Sequence, residues 1–229
     1  MNLIRMVRSA APEANFVAGV SLVLLITKIL VLNRYPAKIV GVYEFGVTFE
    51  STLSSVIASY VFYLLVVHFK EVTDRAAVAP YVNKHVQRVV FDCKHQLSAF
   101  HTASKVALSL DTVTLAEVTE AFSQIAPFAP APMTFMPEHS EANWLQYFEY
   151  YMAKTKRGIT RIFAQLPYID AKLVGLLTSI DDCTHFEGLE LIGSEVPVVN
   201  ADLSVWAPSF YEYCEQCRDL QRFIGEAAE

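Results

Sequence analysis

The sequence predicts an all-α protein in two parts: an N-terminal two-helix transmembrane hairpin over residues 1–75 and a mainly helical cytosolic domain over residues 76–229. Three observations predict it. Two apolar runs of membrane-span length lie within the first 70 residues, and apolar positions recur every three or four residues through most of the remainder. Charge is divided as well: residues 1–69 carry five Lys/Arg against three acids, whereas residues 70–229 carry thirteen against twenty-one. A chain of 229 residues, 53% hydrophobic and 18% charged, accommodates one soluble domain of roughly 150 residues plus a separate apolar element.

The first run, FVAGVSLVLLITKILVL from Phe16 to Leu32, is about 25 Å long as a helix, and extension to Ala14 and Asn33 brings it to the thickness of a hydrocarbon core of ~30 Å. The second, LSSVIASYVFYLLVVHF from Leu53 to Phe69, contains no formally charged residue and is lengthened by Gly46 to Thr52. The predicted spans are therefore about 14–33 and 50–69. A signal peptide is the weaker reading, because NRYPAK follows Leu32 with no small-x-small cleavage site. The other alternative is a hairpin buried in a soluble core. Tyr35, Tyr43, Tyr60 and Tyr63, with Arg34, Lys38, His68 and Lys70, supply the aromatic and cationic anchors of a membrane interface. Arg5, Arg8, Lys70 and Arg75 outnumber Arg34 and Lys38 of the connecting loop, which predicts both termini on the cytoplasmic side.

Two features of the spans invite a functional reading. Lys28 either snorkels towards the interface near Asn33, or faces inwards, where it lines a pore or pairs with Glu50. Ser51, Ser55 and Ser59 form a small, weakly polar stripe at four-residue spacing. Such a stripe packs against the first span of the same chain, joins copies into a homo-oligomer, or wets a pore.

Beyond the spans, Val82, Val86, Val89, Cys93, Leu97 and Phe100 mark an amphipathic helix with Pro80 in its first turn. Thr114 and Glu117 stand at capping-box spacing ahead of a second helix ending near Ile125. Four prolines between residues 126 and 138 predict an extended loop. Ser140 is a candidate cap for the helix that follows, which carries Trp144, Tyr147, Phe148, Tyr150 and Tyr151. Aromatics this dense on a helix are usually core or helix–helix packing; the sharper reading makes Trp144, Tyr147, Tyr150 and Tyr151 candidates for docking a partner. A short helix opening at Pro167, a loop or strand pair over FEGLELIGSEVPVVN, and a last helix from Ser204 to Glu226 complete the chain.

Chemistry is sparse. There is no Walker A sequence, GxGxxG, HExxH or nucleophile elbow, so neither an enzyme nor a cofactor is predicted. Asp181, Asp182 and His185 form the most catalytic-looking cluster, and an acidic pair at a helix end is the commoner explanation. Cys214 and Cys217 share a helix face, but Cys93, Cys183, His95 and His185 complete no zinc spacing; reduced, buried thiols are expected. The acidic larger part shows no basic stripe on any one predicted helix, so direct nucleic-acid binding is not expected.

The strings VYEFG at Val42 to Gly46 and SSVIASYVFYLLVVHFKE at Ser54 to Glu71 resemble the membrane hairpin of bacterial two-transmembrane effectors found beside retrons and in other anti-phage systems. The resemblance covers residues ~15–75, about a quarter of the chain, and is one of hydropathy and aromatic placement. It implies an inner-membrane toxin restrained by a cytosolic partner, such as a reverse transcriptase with its RNA–DNA product, and released on infection to permeabilise the membrane. A membrane-anchored adaptor that recruits a soluble protein without toxicity is the expectation from another class.

Overall fold

The computed structural model describes residues 7–34, 41–136, 140–192 and 198–226. Arg5, Tyr35, Lys38 and His139, and the middle of the expected strand pair near residues 193–197, lie outside them. The fold is mainly helical, and the chain divides into two compact units, residues 1–77 and 78–229.

The first unit contains helix α1 (Pro12–Leu30), which Pro12 opens with its fixed φ, and helix α2 (Val42–Phe62). Gly41 precedes α2 at φ +94°, a left-handed conformation that side chains with a Cβ rarely adopt. A π-helical turn over Tyr63–His68 leads into helix α3 (Phe69–Ser104). Pro80 thus sits inside α3 rather than in its first turn; it is exposed, where water can satisfy the carbonyl one turn earlier that its missing N–H leaves free.

The second unit is organised around Phe100 of α3. Helix α4 (Leu115–Ser123) begins at the capping box expected from the sequence: Glu117 N–H donates to Thr114 Oγ1 at 3.3 Å and Thr114 N–H donates to Glu117 Oε2 at 2.8 Å. The proline-rich segment is not a free loop. It forms strand β1 (Pro130–Phe135), paired antiparallel with β2 (Ser140–Asn143) in the register Pro130 opposite Asn143 and Phe135 opposite Ser140. A two-stranded pair has outer edges on both sides, where prolines without N–H groups are tolerated. Ser140 is accordingly a strand residue, and helix α5 (Trp144–Phe163) is capped by Asn143, whose Oδ1 accepts from Gln146 N–H at 2.9 Å.

Helix α6 (Ala171–Asp181) is capped by Asp170 rather than opened by Pro167, which lies in a preceding 3₁₀ turn. Helix α7 (Thr184–Ile192) occupies the start of the segment expected as loop or strand, and α8 (Ala207–Glu226) follows a 3₁₀ turn at Ser204–Trp206. Helix α8 packs against α4, α6 and α7, and α5 packs against α6, α7 and both strands. Arg218 of α8 donates to the carbonyls of Leu110 (2.7 Å) and Val113 (2.9 Å), tying the last helix to the loop before α4.

The Phe100 ring lies 4.7 Å from Phe122 and Trp144, 5.3 Å from Phe210 and 5.4 Å from Phe148, so three helices distant in sequence meet on one side chain of a fourth. Truncating it leaves a cavity whose walls belong to four elements. Phe100→Ala is expected to cost about 3–5 kcal/mol. Tyr150→Ala, at a position 41% exposed, should change stability little. Thermal melts of the detergent-solubilised chain followed by near-ultraviolet dichroism test the contrast.

Candidate functional site

Only 17% of the most apolar window of each long helix, Pro12–Arg34 and the one beginning at Tyr43, is buried within the protein. Phe16, Val23, Leu30, Phe45 and Phe62 are all exposed. A hairpin in a soluble core would be covered by its own chain, and this one is not. Both helices are long and apolar enough to cross a membrane.

The face that α1 turns to α2 is narrower and less apolar than the rest. Its least exposed residues are Ala14, Asn15, Ala18, Ser21, Leu25 and Lys28, and those of α2 include Gly46, Glu50, Leu53, Ile57 and Tyr60. The alternation of three and four residues is that of a helix-pair seam, and the small residues allow close approach. Polar pairs cross it at both ends. Lys28 Nζ donates to Glu50 Oε2, and Tyr60 OH donates to Asn15 Oδ1. Asn15 Nδ2 donates in turn to the Val7 carbonyl at 2.8 Å, and Ser9 Oγ lies 2.9 Å from Nε2 of buried His68 in the π-helical turn.

Lys28 therefore takes the inward reading: it is 8% exposed and held by Glu50. The serines do not take the intrachain reading. Ser51, Ser55 and Ser59 are exposed while Glu50, Leu53 and Ile57 fill the seam. The stripe faces outwards from the hairpin.

In the second unit, Trp144, Tyr147 and Tyr151 are 2%, 1% and 7% exposed. They are core residues, so the packing reading holds for these three and their docking candidacy is corrected; their rings pack on Phe100 and on each other. Tyr150 alone of the four is exposed, beside a shallow groove lined with Met133, Phe135 and Met136.

The acidic pair and His185 do not form a catalytic group. His185 is 1% exposed, ringed by Phe148, Phe186, Phe210 and Tyr213, with Ser209 Oγ at 3.4 Å from Nδ1. Burial lowers its pKa to about 3. Burial also raises Asp181, against the opposing pull of Lys156. The four cysteines are free and buried, with Cys93 and Cys214 sulfurs 3.9 Å apart, and no group of three or more metal-ligating side chains occurs among the described residues. Burial holds Cys93 and Cys217 well above the ordinary thiol range and pushes Cys183 up to about 12, so all three stay as thiols.

One cluster is absent from the one-helix-at-a-time reading. His85 and Arg88 of α3 face Lys154, Arg157 and Arg161 of α5 across a cleft of about 230 Å³. Each helix contributes only two or three bases at spacings of three and four, too few for a stripe by itself; packing the two helices together makes the cluster.

Two outcomes follow. Removing one partner of the seam ion pair leaves an uncompensated charge, so Lys28→Leu or Glu50→Leu alone should destabilise the hairpin by about 3–5 kcal/mol, whereas the double variant should recover most of the loss. Protease resistance of the membrane-inserted chain reads this. For His185, the unfolded chain takes up a proton below about pH 6.5 that the native state refuses until about pH 3, so stability falls with acidification through that window and is flat above it. The slope approaches about 1.4 kcal/mol per pH unit in the wild type and is lost in His185→Gln, so it should appear in the difference between the two in melts taken between about pH 6.5 and 5.

Comparison with protein-family models, with curated proteins and with solved structures finds no match to this chain.

Proposed function

We propose that the chain is a multi-pass protein of the bacterial inner membrane, with both termini in the cytoplasm, that serves as the effector of an anti-phage, abortive-infection system. The hairpin associates with further copies in the bilayer and disrupts it once a cytosolic protein or nucleoprotein regulator lets go. The single observation that carries this reading is the uncovered apolar surface of the hairpin, with Ser51, Ser55 and Ser59 on its outward face. Lipid covers such a surface without cost, and small residues on it let another helix approach closely. The resemblance of residues ~15–75 to two-transmembrane effectors supplies the biological setting.

A second reading, a non-toxic membrane-anchored adaptor, is favoured by the groove beside β1. Met136 and Tyr150 are exposed there, and flexible methionines suit a recruited protein segment.

Membrane potential in cells induced to express the full chain, followed with a voltage-sensitive dye, separates the two. The effector reading expects rapid depolarisation that is lost in Ser55→Leu or Ser59→Leu while the chain still inserts. Depolarisation unchanged in both serine variants removes the packing argument. A steady potential under expression without any regulator, with the groove variant Tyr150→Ala losing a co-purifying protein, establishes the adaptor.

A further inference from the structure

We propose that the cleft between α3 and α5 is a binding site for a small phosphate-bearing anion, gripped by Arg88, Arg157 and Arg161. The site lies wholly within the second unit and is independent of the hairpin's role.

The charge balance of the cleft is the first support. Asp92, 2% exposed, lies 2.7 Å from Lys154 Nζ, and this pair neutralises itself. The three arginines that remain have no carboxylate partner among the described residues. Arg157 donates its Nε to the Ala153 carbonyl at 3.1 Å, which leaves its terminal nitrogens available; among the described residues Arg88 and Arg161 make no protein hydrogen bond. Arg157 and Arg161 are four apart on one helix, an arrangement that is unfavourable for like charges without a counter-ion. The unit around them carries eleven Lys/Arg against nineteen Asp/Glu, so carboxylates abound in it, yet among the described residues none closes this cluster. His85 senses the same field: after partial burial, Arg161, Lys84 and Arg88 are what lower its pKa.

Shape and chemistry narrow the ligand. Gly158 of α5 lines the cleft opposite Val89 of α3, where a Cβ would lie at ordinary contact distance, 3.8 Å from the valine methyl, so a longer side chain at 158 would occupy the cleft. The volume, about 230 Å³, is below the ~300–1,000 Å³ of pockets that enclose drug-sized ligands. Guanidinium groups are planar forks that match phosphate oxygens in pairs, and three of them neutralise a multiply charged anion. A single carboxylate would leave two arginines uncompensated. The ligand class is therefore a phosphate group or diphosphate, whether free in solution or borne on a lipid headgroup.

The test uses the full chain in nanodiscs of zwitterionic lipid, titrated with inorganic diphosphate at low ionic strength and read by calorimetry and thermal shift. Saturable binding of one diphosphate per chain is expected, weakened about tenfold or more in Arg88→Gln/Arg161→Gln and in Gly158→Leu, which fills the cleft while keeping every charge. Arg161→Gln should in addition melt no lower than wild type without ligand, since it relieves repulsion. Absence of saturable binding overturns the proposal. So does binding that survives in Gly158→Leu and disappears only with added salt, which would make the arginines a diffuse surface field. Repeating the titration in nanodiscs containing phosphatidylglycerol distinguishes the sources: competition identifies a headgroup phosphate, and unchanged binding identifies a soluble one.

Discussion

The ion pair between Lys28 and Glu50 is the interaction on which the first unit depends. Two helices whose outer surfaces are this apolar have no hydrophobic reason to associate once hydrocarbon surrounds them, because lipid tails satisfy leucine and valine as well as another helix does. Direction and register must come from groups that hydrocarbon cannot satisfy. Lys28 with Glu50 at one end and Asn15 with Tyr60 towards the other are such groups, and together they fix an antiparallel pair against both sliding and rotation. The bulkier residues are then left on the outside.

The second unit is held together differently, by burial of its own apolar side chains. Its aromatic residues are concentrated inwards. Phe100, Phe122, Trp144, Phe148 and Phe210 come from α3, α4, α5 and α8, so none of these four helices is complete without the others. His185 sits in the same cluster as a neutral ring, kept there by packing and a long contact to Ser209 rather than by a charge partner.

Much of this was legible from residue order, and the exceptions have physical causes. Helical faces such as Val82 to Phe100, and the Thr114–Glu117 cap, involve neighbours in sequence and were readable directly. Lys28 with Glu50 was one of two alternatives, since spacing cannot say which way a lysine turns. The strand pair was hidden because proline is scored against strands, although an unshared edge tolerates it. Pro80 misled because its usual place is a helix start, whereas an exposed interior position bears the cost. The aromatic run of α5 mixed four core residues with one exposed one, a division set by which helices lie against it. The arginine cleft was the least visible: it exists only where two helices meet, and neither half is exceptional alone.

The distribution of sulfur has an experimental consequence. Every thiol lies in the second unit and is buried there, and the described hairpin has none. A membrane-permeant alkylating reagent therefore finds no target while that unit is closed, and labelling proceeds only as fast as the unit opens. The native chain thus carries its own clock for the opening of one half, usable in intact bilayers where optical melts are obscured by lipid, and silent to anything the apolar half does.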